Sequence, residues 1–260
     1  MNAPDETRDG IERNQRLLAA ELTWLRRTLE RHAAEDAALD ARSAPAAGEF
    51  APLLDHVQTI FGLSPFERSV LLLCAAMELD ARFGALCAAA HGDARRPYPG
   101  FSLALAALPE AHWSALTPEA PLRRWHLIDV LPGDTLTLSP LRIDERVLHH
   151  LVGISYVDVR VRDLIRPLMP SGDLPPSHQV VAERMVQLWR DGGAASRSPA
   201  IGLWGPDASA KRAILARACA AAGWAVLLVR GAGIATNAPE RRTALTLLQR
   251  HHWRLREAAD

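Results

Sequence analysis

The chain has 260 residues, thirty basic and thirty acidic, so its formal net charge is zero; this excludes a uniformly cationic nucleic-acid coat and an acidic solvating tail. Hydrophobic residues make up 48%, too many for wholesale disorder, and Cys74, Cys87 and Cys219 form no close-spaced pair that would suggest a disulfide scaffold or a thiolate zinc site. No apolar run approaches the ~18 residues of a membrane span, and the polar, acidic start lacks a signal-peptide core, which leads to the expectation of a soluble cytoplasmic protein that does not engage a membrane.

In chain order, residues 10–40 predict one amphipathic helix, with Ile11, Leu18, Leu22, Leu25 and Leu29 at heptad-like spacing. Such a helix docks on its own domain, docks on a partner, or forms a short coiled coil. SAPAAGEF at 43–50 reads as a linker. Residues 51–152 predict a mostly helical domain. Ser64 and Glu67 match a capping box, and Pro65 sits at the first helical position. Asp80 is placed to cap the next helix. WHLIDV at 125–130 and TLTL at 135–138 predict two strands across the turn LPGD, and IDERVLHHLVG at 143–153 predicts a closing helix.

Helices, a hairpin and a last helix are the element order of a winged-helix module. The usual corollary is DNA binding, but residues 51–152 hold eight arginines against eleven acids, and 98–116 contain no Arg or Lys. Phosphate contacts supply most non-specific affinity, so a protein-interaction winged helix is expected and DNA is not. Residues 153–198 read as a connector, its alternation ending at Pro167, its helix at 177–191 capped by Ser177, and its end broken by DGGAASRSP.

From residue 199 the pattern predicts strand AIGLW (200–204), loop GPDASAKR (205–212), helix AILARACAAAG (213–223) and strand AVLLV (225–229). In a βαβ unit, the first βα loop is where phosphates bind. The loop meets the phosphate-loop template G-x-x-x-x-G-K-[ST] at Gly205 and Lys211, the one lysine among thirty cations. Pro206, Asp207, Ala208 and Ser209 fill the variable positions. Ala210 replaces the second glycine, where positive φ is needed, and Arg212 replaces the hydroxyl that ligates magnesium. The loop has therefore either kept affinity for ATP or kept only a phosphate-loop shape, and hydrolysis is not expected of it. Beyond a helix at roughly 239–257 no strand carries an acidic magnesium-binding residue. Two strands do not make a stable α/β domain, so the chain reads as the front of a longer polypeptide or as one whose partner supplies the missing strands.

Three blocks, LSPFERSVLLLCAAMELD, YPGFSLALAALPEAHWSALTPEAPLRRWHLID and SPLRIDERVLHHLVG, resemble the N-terminal winged-helix region of bacterial AAA+ ATPases. The likeness is nearest to those encoded with extracellular contractile injection systems, and it runs from about residue 50 to the end. It implies a winged-helix region, then a degenerate AAA module to which GPDASAKR would belong, then an intact module. It also implies injection-particle components or other AAA+ subunits as partners, and a homo-oligomer once the full AAA+ region is present. The expected architecture is a mostly α chain: 1–50 helix and linker, 51–152 winged-helix-like domain of helices plus a β-hairpin, 153–198 connector, and 199–260 an incomplete α/β P-loop unit. The competing reading is a non-enzymatic adaptor of a contractile injection system, whose P-loop-like unit is only structural.

Overall fold

Helix α1 (Ala3–Ala33) is where the heptad-like stripe finds its partner. In the computed structural model, which describes residues 3–34, 51–170, 172–191, 200–234 and 236–255, Leu18, Leu25 and Leu29 are buried. Asn14 before them, and Glu21 and Thr28 between them, are buried too, so the inward stripe alternates apolar and polar residues. Asn14 Nδ2 donates to the Leu151 carbonyl at 2.8 Å, and its Oδ1 accepts from Leu53 N–H at 3.1 Å. Glu21 accepts from Ala51 N–H at 2.7 Å and from both terminal nitrogens of Arg68 at 2.6 and 2.9 Å. Of the open alternatives, α1 docks on its own domain.

The chain divides into two compact units, Met1–Tyr156 and Val157–Asp260. In the first, α2 (Pro52–Phe61) begins with Pro52 and closes at Gly62, whose φ of 67° suits a glycine cap. Helix α3 (Pro65–Leu79) is buried from Phe66 to Ala76. Its capping box forms as expected: Glu67 N–H donates to Ser64 Oγ at 3.1 Å, and Ser64 N–H donates to Glu67 Oε2 at 2.9 Å. Asp80 accepts from Arg82 N–H at 3.0 Å at the start of α4 (Arg82–His91). Then come α5 (Phe101–Ala107), a 3-10 turn (Trp113–Leu116) and the short α6 (Pro121–Arg124).

Strand β1 (Ile128–Val130) pairs antiparallel with β2 (Leu141–Ile143), Ile128 facing Ile143. The second strand therefore starts beyond the expected 135–138. Ser139 closes that segment into a turn, donating through both its amide (2.9 Å) and its hydroxyl (2.8 Å) to the Thr135 carbonyl. A side chain at Gly133 would lie 2.7 Å from Ser139 Oγ, so the loop passes there only with glycine. Pro140 forms a bridge with Gly100, and Ser102 N–H donates to the Thr137 carbonyl at 2.9 Å, tying this loop to the start of α5. Asp144 caps α7 (Glu145–Leu151) through Val147 N–H.

The second unit opens with α8 (Val159–Arg162) and β3 (Ile165–Pro167). Helix α9 (Pro176–Asp191) starts on Pro176, which puts Ser177 inside the first turn rather than at the cap. Helix α10 (Ala208–Ala221) begins five residues before the expected 213. Strand β4 (Leu227–Val229) pairs antiparallel with β3, Ile165 facing Val229. Residues 200–204 join no ladder; Ile201 and Leu203 instead pack on the small α9–α10 core of Ala182, Met185, Val186, Ile214 and Ala218. In place of the expected strand–loop–helix–strand order stand a packed helix pair and a two-stranded ribbon, because β4 finds its partner about sixty residues upstream rather than at 200–204. Helix α11 (Ala238–Leu255) is held to α8 by Arg250, which donates to Asp158 Oδ2 at 2.8 Å. The expected linker at 43–50 and nearly all of the break at 191–199 lie outside the described residues.

Candidate functional site

The loop at 205–212 has local structure that the template match did not anticipate. Gly205 has φ of 146° with open space around its Cα, so backbone conformation rather than crowding is what favours glycine there. Asp207 is the N-cap of α10. Its Oδ1 accepts from Ser209 N–H at 2.8 Å, Ala210 N–H at 3.1 Å and Ser209 Oγ at 2.8 Å. Those first-turn amides are the donors a phosphate would use. The Ala210 amide, followed by the Ser209 hydroxyl and amide, holds the Asp207 carboxyl below its ordinary range.

Lys211 Nζ donates to the Gly205 carbonyl at 2.8 Å, and its amide donates to the Asp207 carbonyl at 3.3 Å. Gly205, Asp207, Ser209, Ala210 and Lys211 are thus joined in one hydrogen-bonded loop. Pro206, Ala208 and Arg212 are exposed around it. The arrangement is a helix N-terminus satisfied by its own carboxylate, with the lysine folded across it. Sequence reasoning placed Asp207 among variable positions; the signal it passed over was an Asp immediately before a helix, followed by Ser209.

The first unit carries a second arrangement. His112 is tethered at both ring nitrogens, Nε2 to Ser64 Oγ and Nδ1 to Ser114 Oγ, each at 2.8 Å, and its ring meets Phe66 edge-on at 5.3 Å. This fixes the 3-10 turn against the N-terminus of α3 and leaves Trp113 64% exposed. Just upstream, Glu110 holds a left-handed φ of 54°. The helix before the hairpin, α6, has four residues. Of its two arginines, Arg123 donates to the Leu116 carbonyl at 2.6 Å and Arg124 lies over the Trp125 ring at 5.2 Å.

The three cysteines are free and buried, and burial pushes the Cys87 thiol up to about 12. Among the described residues no helix is long and apolar enough to cross a membrane.

The helices, the hairpin and α7 have the order of a winged helix, and a family model described as winged helix domain, variant, matches residues 2–165. The chain belongs to that family. The match includes α1, in keeping with the burial of that helix in the first unit. No curated protein and no solved structure matches the chain.

Proposed function

We propose that this chain is the front region of an AAA+ remodelling ATPase associated with a contractile injection system. The winged-helix unit binds a protein partner rather than DNA, and the loop at 205–212 is a degenerate nucleotide loop that does not hydrolyse ATP. The observation that carries the first part is the state of the short helix before the hairpin. A DNA-reading winged helix presents several cations there, whereas residues 98–122 contain none, Arg123 donates to the Leu116 carbonyl, and Arg124 alone is exposed, over the Trp125 ring. The resemblance of the three sequence blocks supports the placement in front of AAA+ modules, and the free, buried cysteines support a reducing, cytoplasmic setting.

For the loop, Lys211 beside a helix N-terminus supports ATP as the ligand, while Arg212 supplies no magnesium ligand. ATP would have to displace the Asp207 carboxylate from the amides of Ser209 and Ala210. Weak ATP binding without turnover follows, with homo-oligomer formation left to the full AAA+ region. Two measurements test the reading. Immobilised chain retains injection-particle components, and labelled ATP binds wild type more tightly than Lys211→Ala. Equal ATP signals from the two proteins remove the nucleotide part; failure to retain any component removes the protein-binding part.

A further inference from the structure

In a winged helix that reads DNA, the segments flanking the hairpin carry cations for phosphates. Here residues 98–122 and 131–141 contain none: all fifteen arginines of residues 1–156 lie elsewhere, while Glu110, Glu119 and Asp134 lie within them. The two segments are tied together by the Gly100–Pro140 bridge and by the bonds from Leu141 N–H to Pro99 and from Ser102 N–H to Thr137. Three of the four large apolar side chains exposed in the first unit, among the described residues, lie on them: Trp113 at 64%, Leu136 at 40% and Leu138 at 39%. Three of the arginines nearest in sequence are engaged, and a fourth, Arg124, is exposed over the Trp125 ring. Arg96 donates to Ser102 Oγ at 2.9 Å, Arg123 to the Leu116 carbonyl, and Arg142 faces Asp129 at 3.5 Å.

Trp113 is held out rather than merely left out, because His112 before it is bonded both to Ser114 after it and to Ser64. An exposed, pre-positioned indole is an anchor of the kind that dominates protein interfaces, and its face attracts ammonium and guanidinium groups. Exposed carboxylates within six residues on either side, Glu110 and Glu119, add the matching charge. The backbone of Glu110 is strained, as residues at binding loops often are.

We infer that residues 98–122 and 131–141 form a docking surface for a cationic polypeptide segment, one of whose arginine or lysine side chains stacks on Trp113 and pairs with Glu110 and Glu119. This rests on the protein-binding reading of the winged-helix unit and names the partner's chemistry.

The test uses the full chain and fluorescently labelled dodecapeptides containing four arginines among alanine and leucine, with the four arginines replaced by glutamate as the control. Anisotropy titration is expected to show binding of the arginine peptide alone, weakening as salt rises. Trp113→Ala weakens it about three- to five-fold and Trp113→Phe by less, since phenylalanine keeps a ring face. The Glu110→Gln/Glu119→Gln double variant weakens it about three- to ten-fold. Equal affinity for the acidic peptide, or equal affinity of Trp113→Ala and wild type, overturns the proposal. Retention of injection-particle components is read in parallel on the same variants. Components held equally by wild type and Trp113→Ala leave the protein-binding reading standing and reject this surface, whereas failure to bind either peptides or components rejects both.

Discussion

Asp207 shows how one side chain sets the character of a loop. Its carboxylate sits on the Ser209 and Ala210 amides, so it competes for the donors that an anion would need. Asp207→Asn keeps an N-cap of similar quality while removing the charge. Labelled-ATP titration should therefore show tighter binding by Asp207→Asn than by wild type, and weaker binding by Lys211→Ala. Glu110 is a second residue-scale case. A non-glycine left-handed φ costs ~1 kcal/mol, so Glu110→Gly should raise the stability of the first unit by about that amount in denaturant unfolding, while weakening the arginine peptide. Asp158 carries the pH dependence. Burial alone would raise its carboxyl, but hydrogen bonds from Arg160 and the charges of Arg160 and Arg250 hold it well below the usual range. A depressed carboxyl stabilises the fold above its unfolded pKa, and that stability is lost as pH falls through the folded value. The contact between α8 and α11 should therefore survive from neutral pH to about pH 4 and weaken only below it. Arg250 side-chain NMR resonances followed by pH titration check this.

At the scale of elements, α1 is docked by polar residues as much as by leucines. Glu21 and Arg68 are both buried and paired at 2.6 Å. Glu21→Ala leaves a buried guanidinium with less compensation and should cost ~3–5 kcal/mol, whereas Glu21→Leu with Arg68→Met removes both charges and should cost less, about the 1–3 kcal/mol of the Ala51 amide left without its acceptor; urea midpoints of the two variants separate the cases. Much of the helical organisation was legible from sequence because its signals are local. Pro65, Ser64 and Glu67 announce the start of α3, and Ile11, Leu18 and Leu25 announce the face of α1. The polar members of that face are not legible: Asn14 and Glu21 look like surface residues until their partners at Leu53, Ala51 and Arg68 are known, and Thr28, which bonds within α1 to the Trp24 carbonyl, gives no signal of its burial. The hairpin is legible in the sequence but its register is not, because Thr135 and Ser139 make a turn whose alternation imitates a strand. The pairing of β3 with β4 joins residues 165 and 229, and no local pattern announces a partner at that separation. The lysine of the candidate loop is legible; its self-capping is not, because the phosphate-loop pattern leaves position 207 open and says nothing of an Asp placed before a helix.

For the whole molecule, the two units differ in how much they bury. The first gathers thirty buried apolar residues into one cluster, the second five, among the described residues. Local opening is easiest where few apolar contacts oppose it. Hydrogen exchange followed by mass spectrometry should therefore show α3 most protected, with α9, α10 and the β3–β4 ribbon exchanging earlier; equal protection of the two units would contradict this. The neutral total charge also resolves into unlike parts. Residues 1–156 carry fifteen arginines against twenty-one acids, and residues 157–260 carry fifteen basic residues against nine acids. A gel shift with duplex DNA is expected to show no band from a fragment spanning residues 1–165, the matched winged-helix region.

Lys211, the sole lysine in the chain, also gives the molecule a single side-chain amine, distinguishable from an α-amine by its higher pKa. An amine-directed ester has a single side-chain target, and that target is the ammonium folded onto Gly205. At fixed pH, a change in its acylation rate reports a change in how the lysine is held on that carbonyl. A fluorophore placed there would report on the loop with no cysteine to engineer and no competing side-chain amine to remove.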